Sequence, residues 1–257
     1  MNILTDKYFV AYQQQLTAAI DSSLKNIDAA DLNRQSFTFY TSVAVISSSR
    51  IEGERMEIDS YIKHKMQHIE YLPELLEKPN DLYNAYVFAQ QNGLTPGNFL
   101  QSHKLLSLHL LSGKWQGKYR INEMLIMEHN TGKIQFEAAS FNVLDTEMAK
   151  LWMDIDVLLL THLSSEEIFY YASLIHLVFV SIHPFNDGNG RAARLLEKWF
   201  LANHLGDKAW YIKPEKYYYD HVNDYYKNLN RLGMFYEQLD YSKALPFLLM
   251  LPQSLVH

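Results

Sequence analysis

The chain has no cysteine, little glycine or proline, no long apolar run and no excess of positive charge. Each absence removes a class of function. Without cysteine there is no disulfide framework, no thiolate nucleophile and no cysteine zinc site, and the redox compartment stays undetermined. With 10 glycines and 7 prolines in 257 residues, there is no sign of flexible linkers, repeats or low-complexity tracts, and one continuous body is expected. The longest apolar runs, such as Leu177-Val-Phe-Val180, are far too short to span a bilayer. The opening Met1-Asn-Ile-Leu-Thr-Asp-Lys-Tyr-Phe-Val has no basic region leading into an apolar one. A cytoplasmic protein with no membrane partner is the expectation. A formal net charge of −6 offers no basic field, and residues 207–257 balance six Lys or Arg against six Asp or Glu, so no nucleic-acid partner is expected.

What is present is a chain of 48% hydrophobic residues, enough for a substantial core, arranged with helical periodicity. The reading is an all-α protein with one β-hairpin. A helix is predicted from about Ser36 to Ile51, closed by Gly53, and a second from about Ile58. Pro73 and Pro79 bracket a short connection, and Asn80 opens a helix to Asn92-Gly93. Thr95-Pro96 reads as an N-cap and first helical position for a helix carrying His103 and His109 and ending near Gly113. Between Gly117 and Phe136, two β-favouring runs flank His129-Asn-Thr-Gly132. Helices resume near Leu144. Ser164-Ser-Glu-Glu167 has capping-box spacing for a long apolar helix over 168–182, which Pro184 stops. The next begins near Arg191 and ends at Gly206, with Ala192, Leu195, Leu196 and Trp199 on one face. This divides the chain into an N-terminal helical region (1–95), a core with hairpin and inter-helix loop (96–206), and C-terminal helices packed on it (207–257).

The inter-helix loop reads Ser181-Ile-His-Pro-Phe-Asn-Asp-Gly-Asn-Gly-Arg-Ala-Ala-Arg194. A glycine-rich turn entering a helix N-terminus aims unpaired N–H groups and the positive end of the helix dipole at one point, which suits a phosphate. Arg191 and Arg194 stand in the first turn, where a cation opposes the dipole, so they make better sense beside an anion. Asp187 offers a hard oxygen to a Mg²⁺ on a nucleotide, and His183 can take a proton. Phosphoryl or nucleotidyl transfer needs this set. A calcium loop counted from Asp187 fails, because Arg191 and Ala192 occupy its fifth and sixth positions. Gly113-Lys-Trp-Gln-Gly-Lys118 imitates a P-loop, but its glycine spacing is one short and Tyr119 replaces the hydroxyl residue. His64 and His68 lie one helical turn apart without a third metal ligand and read as solvated helix histidines.

His183-Pro-Phe-Asn-Asp-Gly-Asn-Gly-Arg-Ala-Ala-Arg194 matches every specified position of the Fic family signature, and the chain resembles that family over roughly residues 40–230. The resemblance implies a Fic fold whose hairpin is a flap, with Mg²⁺ as cofactor and ATP as co-substrate. It implies adenylylation (AMPylation) of a Ser, Thr or Tyr hydroxyl of a target protein, with auto-AMPylation. In that scheme His183 deprotonates the hydroxyl, Asp187 holds Mg²⁺, and Gly188, Asn189 and Gly190 form the anion hole. Arg191 and Arg194 hold the outer phosphates, and Phe185 anchors the loop. The intact Gly-Asn-Gly favours adenylyl transfer over phosphorylation.

A second stretch, Ser48-Ser-Arg-Ile-Glu52-Gly53, fits the family's inhibitory motif, Ser/Thr-x-x-x-Glu-Gly/Asn. It implies that Glu52, at the end of a helix over about 36–53, pairs with Arg194 and occupies what the γ-phosphate needs. The hairpin 124–136 would align a target backbone by strand addition, and Gly117-Lys-Tyr-Arg120 resembles the family's lead-in to it. Asn223, Tyr225 and Tyr226 fall in an aromatic stretch similar to one near the adenine in related proteins; core packing is the other reading of those tyrosines. Two other functions stay open: a hydrolase removing AMP with the same residues, and a nucleotide-sensing interaction module, against which the intact His183 speaks. A homodimer also stays open.

Overall fold

The structure is a computed structural model that describes residues 1–27, 34–127 and 132–256. Two short helices, α1 (Phe9–Gln15) and α2 (Ile20–Lys25), precede α3 (Arg34–Ile51), α4 (Ile58–Gln67), α5 (Pro73–Gln91) and α6 (Pro96–Leu106). A two-stranded antiparallel hairpin, β1 (Leu125–Met127) and β2 (Ile134–Glu137), leads into α7 (Phe141–Leu160), α8 (Ser165–Ile182) and α9 (Asn189–Leu205). After a 3₁₀ turn over Gly206–Tyr211 come α10 (Pro214–Asp220), α11 (Val222–Asn230), α12 (Leu245–Leu248) and α13 (Met250–Gln253). This is an all-α fold with one hairpin. Of the expected hairpin turn His129-Asn-Thr-Gly132, residues 129–131 lie outside the described residues, and Gly132 has φ +65.

α8 is the centre. Every residue from Ile168 to Phe179 is buried, as a helix apolar on all sides must be. The helix is long and apolar enough to cross a membrane by length and composition, yet 78% of that window is buried inside the protein, so its apolarity is that of a core helix. Counting short apolar runs missed this, because Ser173 and His176 interrupt the runs while the apolar residues around them keep the mean hydropathy at 1.2. Ser164 and Glu167 close a complete capping box at its start, so the backbone donors of the first turn are satisfied locally. α9 packs along α8, and its residues 191–201 are all buried. One continuous apolar cluster joins these helices, from Leu4 near the N-terminus to Leu251 near the C-terminus.

Thr95 caps α6 by accepting the N–H of Asn98 at 3.2 Å, but the helix stops at Leu106, and His109 lies in the turns beyond it. There the buried carboxylate of Asp81 accepts both the backbone N–H and Nδ1–H of His109, each at 2.8 Å. Pro79 does not end a connection; it lies inside α5, which starts at Pro73. An interior proline loses one helix hydrogen bond and crowds the preceding turn, at about 3 kcal/mol. Burial of Leu76, Leu82, Ala85 and Tyr86 on the same helix offsets it, and Tyr61 donates to the Pro79 carbonyl at 3.1 Å. α7 begins at Phe141, three residues before the expected Leu144, because Ser140 caps it.

α3 packs against α4, α5 and α10. It presents an unusually small, polar buried face, Thr41, Ser42, Ser47, Ser48 and Ser49. Its last turn is carried to the head of α9, where Gly53 at φ +86 takes the left-handed conformation that reverses the chain into α4.

Candidate active site

α8 ends at His183, whose φ of 55 places it in the left-handed region that glycine usually fills at a helix end. That twist turns the imidazole out of the helix direction. Val180 O lies 3.2 Å from Nδ1 and can only accept, so Nδ1 carries the proton and Nε2 is left as the free base. Burial first, with the nearby charge of Arg120 contributing, pushes the His183 pKa down to about 4, so the ring is neutral at physiological pH.

The loop after it is braced from within. Asn189 Oδ1 accepts the N–H of Phe185 and its Nδ2 donates to Phe185 O, both at 2.8 Å. Phe185 is fully buried and stacks on His103 with ring centres 3.5 Å apart and planes 10° apart. His103 Nδ1 accepts the N–H of Gly117 at 3.0 Å, which leaves Nε2–H to donate to Asp187 O at 3.0 Å. Burial pushes the His103 pKa down to about 4 and keeps the neutral tautomer this bridge requires. Phe185→Ala is expected to cost about 3–5 kcal/mol, read as a lower urea midpoint at unchanged slope.

The turn then opens toward the head of α9. Gly188 has φ +81, and a Cβ there would come 2.9 Å from Leu106 Cδ1 and 3.4 Å from His103 Nε2, so only glycine lets the backbone pass. Asp187 Oδ1 accepts the N–H of Gly188 at 2.6 Å. Asn186 Nδ2 and Arg191 Nε are buried and have no hydrogen-bond partner among the described residues. Buried donors without acceptors at a helix N-terminus fit a phosphate. Among the described residues no group of three His, Cys, Asp or Glu could hold a metal. A divalent cation would therefore rely on Asp187 plus phosphate oxygens, which is how Mg²⁺ is commonly held on a nucleotide.

Arg194, 1% exposed, is engaged on every side. Its Nε donates to Ser48 Oγ at 2.8 Å, Nη2 to Ser48 O at 3.2 Å and to Glu52 Oε1 at 2.6 Å, and Nη1 to Tyr225 OH at 3.2 Å. The same Glu52 carboxylate lies over Gly190, where any Cβ would collide with it. Burial favours the neutral acid, but the charges of Arg194 and Arg191 outweigh it and hold the Glu52 carboxyl below its ordinary range. Behind Arg194 a buried chain continues: Tyr225 OH meets His176 Nε2 at 3.0 Å, and His176 Nδ1 meets Glu197 Oε2 at 2.9 Å. A second carboxylate from the same turn reaches the other arginine, with Glu54 Oε1 3.1 Å from Arg191 Nη2 and 2.9 Å from Lys78 Nζ.

The structure thus gathers His183, Asp187, Gly188, Asn189, Gly190, Arg191, Arg194, Ser48 and Glu52 at one place, with Gly53 one residue beyond. The adenine trio is divided. Tyr225 is 1% exposed and stands behind Arg194, Asn223 is exposed, and Tyr226 alone reaches an open cleft beside His183. The reason is the helical period: on α11, Tyr225 and Asn228 face the core, so Tyr226 and Leu229 face outward. That cleft, of about 110 Å³, is walled by Ile126 and Phe136 of the hairpin, Val180, Tyr226 and Leu229, with Asn230 at its edge. Sequence reasoning missed Ile126, Phe136, Leu229, Asn230, His103 and Glu54. For the first four, the signal was the outward face of α11 and the inward register of the hairpin, in which Ile126 pairs with Phe136.

Residues 93–201 match the Fic/DOC family. Among solved structures, a Fic family protein from Desulfovibrio desulfuricans G20 superposes with a TM-score of 0.77 at 19% identity, over 99% of this chain and 73% of that one. A Fic domain containing signaling protein from Bacteroides thetaiotaomicron VPI-5482 gives 0.67 at 20% identity, over 95% and 94%. A segment of Fic-1 from C. elegans gives 0.66 at 15% identity, over 98% and 70%. At these identities the likeness is one of fold. Together with the domain match it leaves one conclusion: residues 93–201 form a Fic/DOC domain, and the chain around it has the fold of Fic proteins.

Proposed function

We propose that this chain is an autoinhibited protein adenylyltransferase, moving AMP from MgATP to a Ser, Thr or Tyr hydroxyl of a target protein, itself included. The observation that carries the reading is a free imidazole Nε2 beside buried, unpartnered donors at the head of α9, Asn186 Nδ2 and Arg191 Nε. The match of residues 93–201 to the Fic/DOC family supports it. His183 Nε2 takes the hydroxyl proton as the oxygen bonds to the α-phosphorus; the bond from that phosphorus to the bridging oxygen breaks, and pyrophosphate leaves with the electron pair. The N–H groups of Asn189 and Gly190 and the guanidinium of Arg191 hold the phosphate oxygens, joined by the N–H of Gly188 once Asp187 Oδ1 releases it. Mg²⁺ bound by Asp187 and phosphate supplies charge neutralisation. The apolar cleft between the hairpin and α11 takes the base, and the hairpin 124–136 docks the target.

The brake is Glu52. With its carboxylate on Arg194 and over Gly190, the outermost phosphate has no seat, and the α-phosphate cannot line up for attack. Incubating Glu52→Gly with MgATP and a cell lysate is expected to give proteins carrying one adenylyl group by mass spectrometry; an absence of adducts on every protein, itself included, would count against the reading. Tyr226→Ala in that variant is expected to raise KM for ATP about threefold to tenfold with kcat nearly unchanged, because it removes ring contact to the base and nothing at the phosphorus. Glu54→Ala is expected to tighten ATP binding by about threefold by calorimetry, since the Arg191–Glu54 pair is a partly exposed one. A second reading, removal of AMP by the wild type, is favoured by Glu52 lying close enough to the cradle to orient water; loss of AMP from a premodified target on adding wild-type protein would select it.

A further inference from the structure

The last carbonyls of a helix need donors from elsewhere; His183 supplies Phe179 O and Val180 O at the end of α8, and Ile182 O with the two carbonyls beyond it is supplied by a single residue on another part of the chain. The N–H of Arg120 donates to Pro184 O at 2.8 Å, its Nε to His183 O at 2.9 Å and its Nη2 to Ile182 O at 3.3 Å. Three consecutive carbonyls around the base are thereby held from one point. The remaining bonds go elsewhere: Nη1 donates to Asn122 O at 2.6 Å, just before the hairpin, and Nη2 to Ala139 O, just after it.

Arg120 is 2% exposed, and all five of these partners are backbone carbonyls. A buried cation with no carboxylate in ion-pair contact among the described residues is costly, and burial lowers its pKa from the ordinary arginine value although the charge of Glu123 opposes this. A planar fork with fixed donor directions suits this task, whereas a lysine presents one compact ammonium that cannot reach so many acceptors. The cation also stands at the negative end of the α8 dipole, where it stabilises the helix terminus.

We propose that Arg120 is a positioning residue that locks both ends of the flap to the backbone of the base, so that a target strand on the flap and the imidazole of His183 share one rigid frame. This rests on the adenylyl-transfer reading. Among the described residues the flap root is also tied by Ala138 N–H to Met124 O at 3.1 Å, Glu137 N–H to Met234 O at 2.7 Å and Ser140 Oγ to Glu123 Oε1 at 2.9 Å, none of which reaches the catalytic loop. Arg120 hydrogen-bonds to both. The phosphate donors of Gly188 to Arg191 belong to the other side of the loop, braced by Asn189 and His103.

The test compares Arg120→Lys and Arg120→Met, each in the Glu52→Gly chain, by steady-state kinetics and by amide hydrogen exchange. Misplacing the base against the target is expected to lower kcat about a hundredfold while KM for MgATP moves less than about twofold. Exchange is expected to quicken at the flap root, residues 122–126 and 137–140, and at His183, with α9 still protected. Unchanged kcat together with unchanged exchange would overturn the proposal. So would exchange quickening throughout the core of both variants, which would make Arg120 a general support of the fold. If Glu52→Gly itself transfers no AMP, the functional reading fails, and the exchange pattern still decides whether Arg120 couples flap to loop.

Discussion

Glu52→Gly is expected to raise the initial rate of AMP transfer about tenfold to a hundredfold over the wild type, the range a charge-assisted hydrogen bond of roughly 1.5–3 kcal/mol can withhold. The substitution removes the carboxylate that holds Arg194 Nη2 at 2.6 Å and clears the space over Gly190. Arg194 itself stays in place, because Ser48 Oγ, Ser48 O and Tyr225 OH still bind it. Release of the site without collapse is the expected consequence, so the melting temperature falls little. Glu52→Gln, which keeps the shape and loses the charge, is expected to fall between the two. The sign of the pH dependence follows from the same pair. The folded-state pKa of Glu52 is lowered, so its bond to Arg194 persists through the ordinary carboxylate range and is lost only as pH falls through the lowered value. Acidification to about pH 5 is therefore expected to leave the wild type inactive. Activation of the wild type at that pH, measured as initial rate, would show that the carboxylate is not the brake.

His183→Ala in the Glu52→Gly chain is expected to lower transfer about a thousandfold while ATP affinity changes by less than about twofold. The imidazole is a neutral base with Nδ1–H spent on Val180 O and Nε2 free, whereas His103 spends both ring nitrogens on Gly117 and Asp187. The phosphate donors, Asn186 Nδ2 and those from Gly188 onward, are groups other than the ring. Since burial pushes the His183 pKa down to about 4, the base form exists well above that pH and is lost as pH falls through it. The rate of Glu52→Gly is accordingly expected to be flat around neutrality, with its acid limb near that value. An acid limb near the ordinary imidazole value, 6.5, would mean that the ring is solvated in the working enzyme. Equal rates with and without the imidazole would return the chain to the nucleotide-sensing class, in which no base is needed.

How much of this was legible in the sequence depends on how local each interaction is. The loop from His183 to Arg194 is contiguous, so its glycines, carboxylate, base and arginines could be read together; the structure carries them from the end of α8 into α9, which starts at Asn189 and so puts Arg194 in its second turn, not the expected first. The caps at Thr95 and Ser164 were legible for the same reason, as a cap and its partner lie within three residues. Glu52 and Arg194 are 142 positions apart and were paired only through the resemblance to a family pattern. Nothing in composition or period links them. The pairing of Arg191 with Glu54 had no such pattern and was missed, since opposite charges on distant elements carry no register in the sequence.

Arg120 was quoted for the lead-in it belongs to, but not for its reach. Its partners are backbone carbonyls, which every residue possesses, so no side-chain complement marks them. Tyr225 shows a different limit. An aromatic pair at consecutive positions of a helix must split between faces, and the core side here holds Tyr225 against Arg194 while Tyr226 meets the cleft. Pro79 shows a third, because the breaker rule is a local preference and the tertiary burial of α5 overrides it.

The most direct test of the account is to incubate Glu52→Gly with Mg²⁺ and ATP radiolabelled at either the α- or the γ-phosphate, in parallel, alongside the wild type and Glu52→Gly with His183→Ala. The account predicts protein-bound label from the α-position alone, strong in Glu52→Gly and nearly absent in the other two. Label from the γ-position, or none from either in any of the three, would contradict it.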